Sequence, residues 1–242
     1  KNMKKLLLLF VILLVSQNFI AQNFGEGYGT RQFTNDLFLL DEYIKRQSKG
    51  IDFKETSSYT GTPYNHPNYL MGNIYRNDSL WASNIAIRYN AVADEMEIKE
   101  SLNADDEAAR VLTKSPDVFV KIMNDIYIFA PYKGGVEKGG YFQVLTEGNK
   151  IDLYKKWVKD FNPAKPATTS LTKDVPASFE DEPIYYIVDK KGKFYELPSS
   201  RNKKLKVFGD NKDAVKDYVK KYDLDINDEK DLIKVIKYYD TF

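Results

Sequence analysis

The chain has 242 residues, with 36 Lys and Arg against 35 Asp and Glu, a single histidine and no cysteine. Near-neutral charge removes the general electrostatic case for nucleic acid, which needs a basic surface to displace phosphate counterions. The missing thiols exclude a disulfide, a lipid carried on cysteine and, with only one histidine, a zinc site of ordinary composition, so the fold must rest on hydrophobic burial.

Lys1, Lys4 and Lys5 precede an unbroken apolar run over 6–15 and a short polar stretch over 16–18. That order of charge, apolar core and polar flank is the pattern of a secretory signal peptide, expected over 1–21. A helix needs ~20 apolar residues to cross the hydrocarbon core, and this run is half that length, so cleavage is favoured over spanning. The expected cut follows Ala21 and leaves Gln22 first, although Phe19 is larger than the small residue usual at that place. Losing three lysines and no acids leaves 33 basic and 35 acidic residues, a net charge of −2. No second apolar run approaches spanning length, so no transmembrane segment is expected in the mature chain.

Residues 22–69 read as a leader. Gly25, Gly27 and Gly29 lie in a stretch without periodicity, and Leu37, Leu40, Tyr43 and Ile44 recur at helical spacing over 35–47, with Asn35 as cap. Gly61, Pro63 and Pro67 then return the chain to loop. From Leu70 the period becomes two. Ile74 and Tyr75 lead into the turn pair Asn77 and Asp78, after which Ile85, Ile87 and Tyr89 share a face. Met96 and Ile98 repeat the alternation against Glu95, Glu97 and Lys99, predicting a sheet with one wet face. Val118, Val120 and Ile122, the strand over 126–132, the Gly-rich loop over 133–140 and the strands over 141–145 and 151–161 extend an antiparallel β domain over 70–161.

Pro163, Pro166, Pro176 and Pro183 mark 162–183 as a linker or excursion. A hairpin around Gly192 opens the last part, 184–242. Ser199 or Ser200 caps a short helical turn ending at Gly209, Asp210 caps a stripe of Val215, Tyr218, Val219 and Tyr222, and Asn227 caps one of Leu232, Val235, Ile236 and Tyr239. The fold class expected is α+β and mainly β: an antiparallel β-meander, as a curved sheet, sandwich or open barrel, followed by a small C-terminal helical segment.

The run Asn84-Ile85-Ala86-Ile87-Arg88-Tyr89-Asn90, the segment Asp94-Glu95-Met96-Glu97-Ile98, the strand Gly140-Tyr141-Phe142-Gln143-Val144-Leu145 and the close Asp231-Leu232-Ile233-Lys234-Val235-Ile236-Lys237-Tyr238-Tyr239 together resemble uncharacterised exported proteins of Bacteroidota. The resemblance spans about residue 60 to the end. Its motifs are structural, so it implies an origin and an export address, and it carries no activity, ligand or catalytic residue.

The chemistry is chiefly one of exclusion. Any Ser-His or metal-histidine mechanism would have to use His66, which stands between Asn65 and Pro67 in a loop without a supporting motif. Gly25, Gly27 and Gly29 lack the strand and helix of a dinucleotide loop. Asp223, Asp225, Asn227, Asp228 and Glu229 alternate like calcium ligands, but Asp228 stands where an EF-hand needs Gly and Lys234 where it needs Glu. Helix capping, with Leu224 and Ile226 plugged into the core, explains the same residues. Glu95 and Glu97 share a strand face at a separation of about 7 Å, workable for acid and base catalysis, yet alternation with Met96 and Ile98 is what an amphipathic strand requires. The terminal Phe242 lacks the alternation of a lipid-facing strand, since the stripe before it is helical.

Aromatic abundance is the compositional oddity: 18 Tyr, 14 Phe and 2 Trp. Such rings favour strands for packing reasons, and they also supply contact area to sugars or protein partners; Tyr75, Trp81, Tyr141 and Trp157 are the candidates for contact. The function expected is that of an exported, non-enzymatic envelope protein. It would act from its sheet as an interaction or assembly component in the periplasm or at the cell surface, without cofactor or metal. Its partners would be another envelope protein or a glycan. A carbohydrate-binding module and an uncatalogued hydrolase are the alternatives.

Overall fold

A computed structural model describes residues 59–131, 139–169 and 171–242. The expected signal peptide, the leader up to residue 58 with its helix, and residues 132–138, which take in most of the Gly-rich loop over 133–140, lie outside the described residues. Of the two compact units into which the chain divides, residues 1–40 fall wholly outside them, and the account below concerns the unit from Asp41 to Phe242.

Thirteen strands and three α-helices are described: β1 (Tyr59–Thr60), β2 (Leu70–Arg76), β3 (Ser79–Asn90), β4 (Glu95–Lys99), β5 (Arg110–Val111), β6 (Val118–Ile122), β7 (Asp125–Ala130), β8 (Gly140–Glu147), β9 (Ile151–Lys156), β10 (Lys159–Asn162), β11 (Ala177–Asp181), β12 (Ile184–Asp189), β13 (Phe194–Glu196), then α1 (Arg201–Lys206), α2 (Lys212–Lys221) and α3 (Glu229–Tyr239). Ten strands form one antiparallel sheet in the order β13-β12-β9-β8-β7-β6-β2-β3-β4-β5, open at both edges. The fold is therefore the mainly β, antiparallel arrangement with a helical tail that the periodicity predicts. The meander has one crossover: after β5 the chain returns to the middle, where β6 pairs with the free side of β2.

Local chemistry explains the turns. Asn77 and Asp78 both hold φ near the left-handed region (46° and 62°), as a two-residue I′ hairpin requires. Across it Ile74 faces Ala82, and Ile85, Ile87 and Tyr89 are fully buried, which fixes the register because a slip of one residue would expose them all.

The sheet is strongly curled, as accumulated strand twist allows. Tyr89 on β3 meets Tyr127 on β7 and Tyr141 on β8, with ring centroids 5.6 and 6.0 Å apart, although β2, β6 and β7 separate β3 from β8 in the ladder order. The face opposite this interior is not the wet one expected: Glu95 and Lys99 are buried with only 6% and 7% of their surface exposed. Lys99 is held by the Asp106 carboxylate and the Ala104 carbonyl, both at 2.7 Å, which supplies the partners a buried ammonium needs.

The helices cover the β8–β9–β12 part of the inner face. Leu153 and Ile187 from the sheet join Leu205, Phe208, Val215, Val219, Leu224, Ile226, Leu232, Val235 and Ile236 in one buried cluster. Burying each such side chain contributes ~1.5–3 kcal/mol. Two expected caps move by one residue. Asn211 precedes α2 where Asp210 is predicted, after a 3₁₀ turn over Gly209–Asn211. Asp228 caps α3, accepting from the Asp231 amide at 3.0 Å, because the side-chain oxygen of Asn227 is already taken by Lys204 at 2.9 Å.

The proline-rich segment is built rather than loose. Lys156 faces Ile184 on the main sheet, and the same register continues outward through Lys159 with Asp181, Asn162 with Ser178 and Lys165 with Val175. The β9–β12 hairpin thus runs on as an arm of β10 and β11, with β1 added parallel to β11 at its outer end, Tyr59 beside Ala177 and Thr60 beside Ser178.

Candidate functional site

Four polar arrangements in the described residues hold chemistry-bearing side chains. On the outer face, the Arg88 guanidinium lies 3.7 Å from the ring centre of Tyr64 and 4.1 Å from that of Tyr69, and bonds Glu97 at 2.8 Å. Tyr69 donates its hydroxyl to the same Glu97 oxygen at 3.0 Å, and burial beside that carboxylate pushes the phenol pKa well above its ordinary value. Glu97 is thereby committed to an ion pair, while burial raises the carboxyl pKa of Glu95 against the pull of Lys114. Glu95 and Glu97, whose spacing alone would suit an acid and base pair, occupy unlike environments.

In the curl, Asp94 sits in the β3–β4 turn at φ 55° and ties distant strands together. Its carboxylate accepts the Tyr89 hydroxyl at 2.7 Å and the Tyr141 amide at 3.0 Å, with Lys114 and Lys156 at 3.7 and 3.6 Å. Gly140 makes that approach possible, since a Cβ there would strike the Asp94 carboxylate and the Lys156 ammonium.

Under the helices, Lys155 is 5% exposed and pairs with Glu229 at 2.6 Å, while its ammonium stands 3.8 Å from the Trp157 ring centre. Tyr185 donates to Glu229 at 3.0 Å, the Trp157 indole N–H donates to Gln143 at 2.8 Å, and Asn65 donates to the Tyr127 hydroxyl at 2.7 Å. These contacts join β7, β8, β9, β12 and the start of α3.

Beside the helices, Arg201, Val219, Lys220, Asp223, Leu224, Asp225 and Asn227 line a surface cleft of about 560 Å³. Within the calcium-like run, Asp225 accepts from the Asn227 amide at 2.9 Å and Asp228 from the Asp231 amide at 3.0 Å, while Glu229 is held by Lys155 and Tyr185. Leu224 and Ile226 between them are buried in the helical core. Among the described residues, no group of three or more His, Cys, Asp or Glu is placed to hold a metal ion.

The four aromatics singled out by sequence are not brought together. Tyr75 stacks on Phe119 with centroids 4.6 Å apart, Trp81 receives the Arg76 guanidinium at 5.3 Å, Tyr141 is 1% exposed in the curl, and Trp157 belongs to the Lys155 cluster. His66 forms a local turn in which Nδ1 accepts from the Asn68 amide at 3.2 Å. The Lys155–Glu229 pair and the Asp94–Tyr141 contact escaped sequence reasoning because the partners are 74 and 47 residues apart along the chain.

The accessible apolar groups lie elsewhere. Every described residue over 163–169 and 171–176 in the arm is exposed, and Leu171 near its tip has 95% of its surface free. An isolated leucine among threonines and prolines was the available signal for it. A second group is a row of rings on α2 and α3: Tyr218 stacks on Tyr238 at 3.9 Å, Tyr222 abuts Tyr218 at 4.8 Å and Phe242 abuts Tyr238 at 5.1 Å. Tyr222 and Phe242 are 54% and 42% exposed. Among the described residues no helix is long and apolar enough to cross a membrane.

No protein-family model, no curated protein and no solved structure matches the chain.

Proposed function

We propose that the chain is an exported protein of the cell envelope, of the kind found in Bacteroidota, that acts without catalysis as an interaction or assembly component. The observation that carries this reading is the arm: a ribbon paired from Lys159 with Asp181 out to an isolated bridge of Lys165 with Val175, beyond which Leu171 is exposed. Ordering such a ribbon costs conformational entropy that its own buried contacts repay poorly, so contact with another molecule is the natural role for it. Around the arm the ionisable clusters are engaged in holding strands and helices together, with Glu97 on Arg88, Asp94 between lysines and Glu229 on Lys155.

Site-specific photocrosslinking in the producing cell tests the reading. A photoreactive residue at Leu171 is expected to give a discrete adduct that the same residue at exposed Met123 does not. Equal labelling at both positions, or none at either, refutes it. The address is tested separately by N-terminal sequencing of the envelope fraction, where a start near Gln22 is expected and an intact product retained in the cytosol refutes export.

A further inference from the structure

The charge of the chain is balanced overall but not locally. Residues 201–221, which form α1 and α2, carry eight Lys and Arg against three Asp, a net charge of +5 in a chain whose total is +1. Leu205 of α1 and Val215 and Val219 of α2 share one buried cluster, so the two helices pack side by side and turn their charged residues outward. On α1, Lys203 and Lys206 are exposed opposite Leu205. On α2, Tyr218 stacks on Tyr238 at 3.9 Å, which sets that flank against α3. At about 100° per residue, Lys212, Lys216 and Lys220 fall in one row on the other flank. Lys220 lines the same cleft as Arg201, so this row is the one turned toward α1. Lys203, Lys206, Lys216 and Lys220 are exposed, and none of them is paired to a carboxylate of the described residues. Lys204 alone turns inward, to the Ile226 carbonyl and the Asn227 side chain. The acids sit aside: Asp213 and Asp217 form the next row round α2, and Asp223 and Asp225 stand at the cleft.

We propose that this face of α1 and α2 docks peripherally on an anionic bilayer surface, its ammonium groups meeting the phosphate headgroups. Unpaired like charges gathered on one face repel one another, and a surface of opposite charge relieves that cost. The cations favour a lipid layer over a shaped polymer site, because seven of the eight are lysines. A lysine ammonium is a point charge on a long flexible stem; it gathers negative charge without the fixed fork by which arginine reads one carboxylate or phosphate. Clusters of four to eight such residues on a helix are the usual footprint of anionic lipid, each contributing about fivefold to partitioning. The borders of the patch suit the interface as well. Val207 at the end of α1 is 37% exposed, and Tyr222 at the end of α2 is 54% exposed, with the Lys221 ammonium 5.2 Å from its ring centre. Side chains of this kind rest at headgroup level while lysine stems extend past them. Among the described residues no helix can cross a membrane, so the attachment is to the surface.

Co-sedimentation of the purified chain with vesicles tests the proposal. The native chain is expected to pellet with vesicles in which about one lipid in three is phosphatidylglycerol and the rest phosphatidylcholine, and at least tenfold less with phosphatidylcholine alone. Raising the salt from about 0.1 M to about 0.5 M should release it, since screening shortens the reach of the headgroup charge. Lys206→Gln with Lys216→Gln is expected to weaken binding to the anionic vesicles by about 25-fold, two factors of five. The same charge change on the arm, Lys165→Gln with Lys173→Gln, should leave it within about twofold of the native chain, because those lysines lie off the helices. Circular dichroism melts matching the native chain establish that both double variants fold, and the lipid and salt comparisons need no variant. A native chain that ignores anionic vesicles, binds both lipid mixtures alike or is indifferent to salt overturns the proposal, as does an arm variant weakened as much as the helix variant. Retention on soluble polygalacturonate without any binding to vesicles overturns it in favour of an acidic glycan. The Leu171 crosslink does not enter these outcomes, so the lipid proposal and the reading of the arm fail separately.

Discussion

Removing the Asp240 carboxylate should loosen the end of α3 from the sheet. That carboxylate accepts three successive amides of the β8–β9 turn, from Asn149 and Lys150 at 2.7 Å and from Ile151 at 3.2 Å. It does so at a helix C-terminus, where a negative charge is disfavoured by the dipole, so the amides must outweigh that penalty. A hydrogen bond to a charged group contributes ~1.5–3 kcal/mol when well shielded, and this site is partly open to solvent, so Asp240→Ala should cost about 1–3 kcal/mol in total. With a urea slope of about 2 kcal/mol/M, the unfolding midpoint moves down by roughly 0.5–1.5 M. The bonded amides also hold the Asp240 carboxyl pKa below its ordinary value. A depressed folded-state pKa means that the contribution is complete above the unfolded value of about 3.9 and is lost as pH falls through the folded one. Urea titrations followed by circular dichroism should therefore show a gap between the native chain and Asp240→Asn that is constant from pH 5 to 8 and shrinks below about pH 4. Coincident midpoints for Asp240→Ala and the native chain at pH 7, or an Asn gap that is nonzero and as wide at pH 3 as at pH 7, would refute the clamp.

Gly140→Ala drives a methyl into the Asp94 carboxylate and the Lys156 ammonium; a loss of about 2–4 kcal/mol, read as a lower Tm, is expected. Glu229→Gln leaves the buried ammonium of Lys155 without its counter-charge, and since Glu229 is one-third exposed the cost should be about 1–3 kcal/mol, accompanied by altered Trp157 fluorescence. Phe208→Ala empties a site that is 1% exposed in the helical cluster, for about 3–5 kcal/mol in denaturant unfolding.

What was legible in the sequence was local. Alternation of Ile85, Ile87 and Tyr89 and the Asn77-Asp78 turn suffice to draw β2 and β3, because strand period and turn chemistry act within a few residues. Non-local pairing is another matter: nothing in Val118, Val120 and Ile122 says that their strand joins β2 instead of continuing past β5. The curl hides for the same reason, so Tyr141, a candidate surface ring by composition, closes against Tyr89 four strands away along the ladder. The prolines at 163, 166, 176 and 183 argue for a linker or excursion, and the chain forms an excursion whose β10 edge is open, so that Pro163 and Pro166 on that strand need no donor. Asn227 and Asp228 are both competent caps, and a tertiary contact from Lys204 decided between them.

The edges of the fold constrain how it meets other molecules. The ten-stranded sheet ends in β5, of two residues, and β13, of three, and the outer strand of the arm, β10, has four before Pro163 and Pro166 intervene. Short edges interrupted by proline offer little ladder for another chain to extend, the usual protection against edge-to-edge aggregation. Association by strand addition is thus disfavoured at each of these edges.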